Sequence, residues 1–387
     1  LTYQTSKSYN GVSITTGNFE GTDVLYVGKL APTNVGTCIN AVIWELVFLD
    51  HDATEEELTK IKDYFVKTYP WLFPDQAWTV TGKTNEDTDR ATIANITGNG
   101  NNLVLSNFGF AENSGYGLYG VNFGSSFWNK NTGLTDVTSS YFVITSSINV
   151  SQATVYTFIR GKNADIPSIK INIDGLGDIS YYYYYINSDK VRVGLKLVNG
   201  INILPISYIA NLDIDGWVGF GTITGVTDNI TIEQIPDYEG YLVTDGVDDR
   251  VESSPFTLNK DWTIVGNWTM LSNIPSNCGI VKVSSTFLYN SLDGVTIYLT
   301  GGPIKIQSKS VNAFCSDRRI YLNDWTEILK PNAQIASGDS KSSLNIASYG
   351  TNFTKMAFKN LAIYDGKNLS KDDCIKAYNY LQTLKAK

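Results

Sequence analysis

The chain has 387 residues, enough for two or three domains, with a formal net charge of −8 and only 18% charged residues. Acidity dispersed in this way argues against a nucleic-acid partner, which needs basic patches, and no apolar run is long enough to cross a membrane. The 33 Gly and 24 Tyr, set among abundant Asn, Ser and Thr, fit an all-β chain with many turns rather than a disordered one.

In chain order, the first informative segment is AVIWELVFLDHDATEEELTKIKDYF (41–65), an alternating apolar stretch running through Asp50 into a helix. Thr54 and Glu57 have capping-box spacing, and Leu58, Ile61 and Phe65 recur at helical spacing. Acids at the helix start and Lys67 near its end suit the helix dipole. Pro70, Trp71 and Pro74 then close the helix and form a short linker. Brief strand candidates follow in NNLVLSNF and YFVITSSINV. From 151 to 235 the strand signal strengthens. SIKINI aligns Ile169, Ile171 and Ile173 on one face. KVRVGLKLVNG aligns Val191, Val193, Leu195 and Leu197 on one face, with Arg192 and Lys196 on the other. Asn199-Gly200 is a strong hairpin signal between that strand and INIL. WVGFGTITG and NITIEQI complete an antiparallel set, and IPDYEG (235–240) is expected to link to a final domain. Half-polar strands of this kind face water on one side, which excludes a buried parallel sheet.

The chain closes on MAFKNLAIYDGKNLSKDDCIKAYNYL (356–381), which repeats the 41–65 segment with one extra residue. Asp365 replaces Asp50, Ser370 and Asp373 form a weaker cap, and Cys374, Tyr378 and Leu381 recur at helical spacing. A strand and capped helix used twice indicate one module type at both ends. LYVGKL (25–30) precedes the first copy and LNIASYG (344–350) the second, which also follows YLVTDGVDDRVESSPFTLNKDWTIVGNWTM (241–270). This arrangement resembles the laminin-G or concanavalin-A-like jelly roll, across 238–387 and, lacking its opening strands, across 1–74. The segments 78–120 and 232–251 resemble modules of large Bacteroidales phage and prophage proteins, where they alternate with laminin-G-like domains. That resemblance implies a virion or tail-associated structural or adhesion protein. The chain begins at Leu1 without an apolar leader and is expected to be a piece of a longer protein.

The expected fold class is therefore all-β, a series of β-sandwich domains of which two end in a short helix. The expected divisions are 1–74, a middle sandwich at 75–237, and a laminin-G-like domain at 238–387. No catalytic constellation is expected. Glycosidases on this scaffold carry alternating acids on one strand, whereas the strands around Glu45 and Glu233 each hold a single acid. His51, the lone histidine, has no accompanying nucleophile motif and reads as a loop residue. Four cysteines make no disulfide framework and no zinc site. Cys278 and Cys315 share a domain and could pair, Cys374 lies on a helix face, and Cys38 begins a buried strand. The six N-x-S/T sequons are what this composition gives by chance. Asp245, Asp248 and Asp249 offer oxygen ligands to calcium, but Asp side chains also satisfy the amides of a Gly246 turn, and the expectation is no metal and no cofactor.

The run ISYYYYYIN (179–187) is the candidate contact surface, since tyrosine joins a flat apolar ring to a hydroxyl and suits sugar stacking. Tyr181, Tyr183 and Tyr185 share one strand face and are the expected ligand-binding residues, with Tyr116 and Tyr119 on the GFAENSGYGLYG loop. The alternative is cross-strand aromatic pairing inside the sandwich. The expected role is a non-enzymatic virion component, fibre or tail-associated, attaching to host-surface glycan and partnered by other virion proteins or copies of itself. A purely architectural virion protein and a secreted bacterial carbohydrate-binding or adhesion protein remain the alternatives.

Overall fold

A computed structural model describes residues 8–9, 12–13, 53–111, 113–120, 123, 134–138, 140–148, 168–187, 189, 191–205, 219–271, 278–283, 286–291, 294–299, 302–306, 311–329, 340–349 and 352–386. The chain divides into two units, Leu1–Pro70 and Trp71–Lys387. In the first, Ser8–Tyr9 pairs with Val12–Ser13, and helix α1 spans Glu55–Thr68. Its start is the predicted reciprocal cap: the Glu57 N–H donates to Thr54 Oγ1 (3.3 Å) and the Thr54 N–H donates to Glu57 Oε2 (2.9 Å). The LYVGKL segment (25–30) and the apolar stretch that begins at Ala41, with Cys38, Glu45 and His51, lie outside the described residues.

The second unit is mostly β-structure, and every strand pair described in it is antiparallel. Two large sheets enclose one core. The first runs Glu327–Leu329, Arg319–Leu322, Val311–Cys315, Trp262–Met270, Met356–Asp365, Asp237–Val243, Gly115–Leu118, and Gln76–Thr79 lies along the same edge of Met356–Asp365 as Asp237–Val243. The second runs Gly302–Ile306, Gly294–Leu299, Thr286–Ser291, Cys278–Val283, Leu344–Ile346, Arg250–Ser253, Leu103–Ser106, Thr92–Ile93. Trp78, Trp262, Ile264, Trp268, Phe314 and Ile363 from the first meet Ile93, Leu103, Val251, Val281 and Ile346 from the second. Burying each such side chain contributes about 1.5–3 kcal/mol.

The first sheet is also covered on its outer face. Helix α2, Lys371–Thr383, turns Cys374, Ala377 and Leu381 inward, all fully buried. Its cap is the weaker one expected, with the Asp373 N–H donating to Ser370 Oγ at 3.1 Å. Asn360 Nδ2 donates to the Leu381 carbonyl (3.2 Å), and the Tyr364 hydroxyl donates to the Trp71 carbonyl (2.6 Å). The segment around Trp71 is thus tied to the sheet rather than serving as a linker. Met356–Asp365 consequently breaks the alternation expected of a half-exposed strand, because both of its faces are buried.

A second, smaller core lies between two further sheets. The five-stranded one runs Gly200–Pro205, Ser168–Asp174, Ile230–Ile235, Tyr141–Ile144, Leu134–Thr135; the three-stranded one runs Arg192–Leu197, Tyr181–Ile186, Gly219–Phe220. Ile169, Ile171 and Ile173 sit on one buried face, as the sequence spacing predicts, and pack with Ile230, Ile232, Phe142, Tyr181, Tyr183 and Phe220.

Three further sequence expectations change. The sheets do not divide at 237–238, because strands at 76–79, 92–93, 103–106 and 115–118 all pair with strands of the 237–365 region. The smaller core, contributed by residues between 123 and 232, is an insertion into a sandwich that begins near 76. The Asn199-Gly200 turn is not a hairpin: Arg192–Leu197 pairs with Tyr181–Ile186, and Gly200–Pro205 with Ser168–Asp174. Asn199 Oδ1 instead accepts from the Leu176 N–H (2.8 Å), and the Asn202 side chain bonds both the N–H and the carbonyl of Val198, so the turn carries the chain from one layer to the other. Finally, IPDYEG is not a free linker. Pro236 sits so close over Gly117 that a Cβ there would lie 2.7 Å from its ring, and Asp237–Val243 pairs immediately with Gly115–Leu118 across a bulge.

This topology makes a prediction about fragments. Residues 71–387 should unfold in urea with a cooperative transition by circular dichroism. Residues 238–387, lacking four strands of the two large sheets, should show no cooperative transition. A native-like near-ultraviolet spectrum from 238–387 would restore the boundary at 237.

Candidate functional site

The tyrosine run forms strand Tyr181–Ile186, and its register decides which rings are available. Tyr181, Tyr183 and Tyr185 pair with Leu197, Leu195 and Val193, the apolar face of the next strand. They therefore point into the smaller core. Tyr181 and Tyr183 are 2% and 1% exposed, and Tyr185 is half-buried against the same cluster. Tyr181 stacks on Phe220 (5.9 Å between centroids) and Tyr183 meets it edge-on (5.5 Å). Burial holds both phenols well above the usual tyrosine range. Tyr181 and Tyr183 are thus core residues rather than contact residues, because facing the Val/Leu side of the neighbour buries them.

Tyr116 is likewise corrected. It is 4% exposed in the large core, its hydroxyl donates to the Arg90 carbonyl (2.6 Å), and its N–H donates to Asn85 Oδ1 (2.7 Å). Tyr119 is half-buried at the end of the same strand, with its phenol pushed up to about 12 by burial and by the charges of Glu86, Glu233 and Glu239.

The other face of the run is the accessible one. Tyr182 is 36% exposed and pairs with exposed Lys196, and Tyr184 pairs with exposed Gly194. The two rings lie 6.3 Å apart at 33°, and the Arg192 guanidinium sits 4.4 Å above the Tyr184 ring. A Cβ on Gly194 would come within 3.0 Å of Tyr184 Cε1, and one on Gly221 within 2.8 Å of Cε2. Tyr184 therefore lies flat across the backbones of both neighbouring strands, in room that only glycine leaves. Tyr182, Tyr184, Arg192 and Lys196 make a cationic aromatic face that reading the tyrosines alone missed. A signal for it existed: Arg192 and Lys196 already mark the polar side of KVRVGLKLVNG, and antiparallel pairing puts Tyr182 and Tyr184 beside them.

The acidic turn is built differently. Asp245, Asp248 and Asp249 bring carboxylate oxygens within 4.8 Å of one another. Asp249 is fully buried; its Oδ1 accepts from Ser114 Oγ (2.9 Å) and its Oδ2 from the Asp245 N–H (2.8 Å). Asp245 Oδ1 accepts from the Val247 N–H (2.7 Å), and Gly246 supplies φ +78°. These bonds hold the turn against strand Gly115–Leu118.

No family model, no curated protein and no solved structure matches the chain.

Burial drives the Asp249 carboxyl up to about 7, the nearby Asp245 charge adds to the rise, and the Asp245 N–H and Ser114 hydroxyl act against it. A carboxyl whose folded value lies above its unfolded value of 3.8 stabilises the fold when protonated; that contribution is complete below about pH 4 and is lost as pH rises through 7. The unfolding free energy from urea titrations should therefore fall between pH 5 and pH 8, by on the order of 1–3 kcal/mol. Asp249→Asn should flatten that slope whatever its absolute stability. An unchanged slope in the variant would remove Asp249 as its source.

Proposed function

We propose that this chain is a non-enzymatic virion component, fibre or tail-associated, that presents β-sandwich modules for attachment to host-surface glycan. In this reading the two large sheets, closed by helix α2, form a laminin-G-like jelly roll, with a second β-sandwich inserted into it. The observation that carries the glycan assignment is the exposed Tyr182 ring beside Tyr184, whose own ring lies under the Arg192 guanidinium. An exposed phenol ring offers a flat apolar surface to the C–H face of a sugar, and a guanidinium beside it donates to hydroxyls or sugar carboxylates. A shallow face of this kind binds weakly per copy, so attachment would draw on many copies acting together. The resemblance of 78–120 and 232–251 to modules of Bacteroidales phage proteins supports the virion setting.

The test is binding of fragment 71–387, displayed multivalently, to Bacteroidales cells and to their purified capsular glycans. Saturable, strain-selective binding is expected. Tyr182→Ala combined with Arg192→Ala should weaken it about tenfold or more, a loss of about 1.4 kcal/mol or more. Tyr181→Phe, inside the core, should leave binding unchanged. Absence of binding by the folded, multivalent fragment would sink the attachment role and leave the architectural one.

A further inference from the structure

Independently of the glycan reading, we infer that Cys315 and Cys374 are a latent disulfide, a two-thiol site that on oxidation fastens helix α2 to the outer face of the first large sheet. Cys315 ends strand Val311–Cys315, and Cys374 lies one turn into α2, where its N–H donates to the Ser370 carbonyl (2.9 Å). Both are free thiols and both are fully buried. Cys315 is the cross-strand partner of Thr263 on the sheet face that α2 covers, and the Leu369 N–H donates to Thr263 Oγ1 (2.9 Å) just before the helix that turns Cys374 inward onto that same face, so the two thiols face each other. This replaces the pairing of Cys315 with Cys278 that the sequence left open, since Cys278 starts a strand of the opposite layer.

The surroundings fix this meeting. Thr263 pairs with Cys315 across the sheet, and its Oγ1 lies 3.5 Å from Cys315 Sγ. The same oxygen lies 3.0 Å from the Lys367 carbonyl and accepts from the Leu369 N–H (2.9 Å), which anchors the loop leading into α2. Ala377 and Leu381 continue the buried stripe of the helix, so α2 has one seating on the sheet. Asp317 and Arg319, paired with each other, act on Cys315 in opposite senses. Once α2 lifts, either thiol can begin the exchange, and the route through Cys315 leaves Cys374 as the resolving thiol.

The chemistry balances with a low-molecular-weight disulfide as oxidant. During a local opening of α2, the Cys315 thiolate attacks one sulfur of oxidised glutathione and expels a glutathione thiolate. That thiolate takes the proton from Cys374, whose sulfur then attacks the Cys315 mixed disulfide and releases the second glutathione, which is protonated from solvent. Two protein thiols become one disulfide while one glutathione disulfide becomes two thiols. The bond closes a long loop, from 315 to 374, and resists the opening that allowed it to form.

The test folds the full chain from urea in an oxidising glutathione buffer, quenches with acid and maps the unreduced peptides by mass spectrometry. The expected result is a linked peptide joining Cys315 to Cys374, lost on reduction. Thermal unfolding should shift upward by several degrees relative to reduced protein, and amide exchange in α2 should slow. Cys315→Ser and Cys374→Ser should each abolish the redox-dependent shift. Because the wild-type peptide map does not depend on those variants folding, it decides the matter alone. Recovery of Cys315 and Cys374 as free thiols, as glutathione adducts, or linked to Cys278 or Cys38 would overturn the inference.

Discussion

The constraint on which the rest of this protein depends is the double burial of strand Met356–Asp365. Its core-facing side chains, Leu361 and Ile363 among them, meet the second sheet, while Ala362 and Tyr364 lie beneath α2 and the Trp71 segment. A strand buried on both faces needs a partner for every backbone amide, because an unmade hydrogen bond there costs about 1–3 kcal/mol. Trp262–Met270 supplies one edge along its whole length, and the other edge is shared by Gln76–Thr79 and Asp237–Val243. The early residues from 76 to 118 are thereby drawn into the sheets of the late ones, and the stretch between them is left as an insertion.

That insertion is where the surface chemistry lies. Its register turns three tyrosines inward against Val193, Leu195 and Leu197, and two outward beside Arg192 and Lys196. One strand thus does two jobs, with alternate rings building a core and presenting a face. The flat pose of Tyr184 follows from the two glycines that flank it, so the face is set by backbone as much as by side chains. The acidic turn next to Gly115–Leu118 shows the opposite use of polar groups, with carboxylates spent on the turn's own amides and on Ser114.

Much of the local structure was legible in the sequence. The Thr54–Glu57 and Ser370–Asp373 spacings predict both helix starts, because a cap involves groups only three residues apart. The period-two pattern of Ile169, Ile171 and Ile173 predicts a half-buried strand, since alternation follows from the pleat alone. Partnership was not legible. Asn199-Gly200 has the residues of a hairpin turn, yet it joins strands in different layers, because pairing is decided by which edges meet in space. The same holds for Tyr181 and Tyr183, whose face was open until a neighbour supplied the register.

What the sequence determined by itself is the set of elements: capped helices, alternating strands, polar turns and an acidic, mostly β chain, all governed by interactions within a few residues. What only the tertiary structure decided is which elements share a sheet, which tyrosines are buried, and that Cys315 lies in the sheet beneath α2 and Cys374 rather than in the layer of Cys278. These depend on contacts between residues tens to hundreds of positions apart, and a local pattern allows several such pairings equally well. The choice among them is made by burying both faces of one central strand at once, and no short segment carries that requirement.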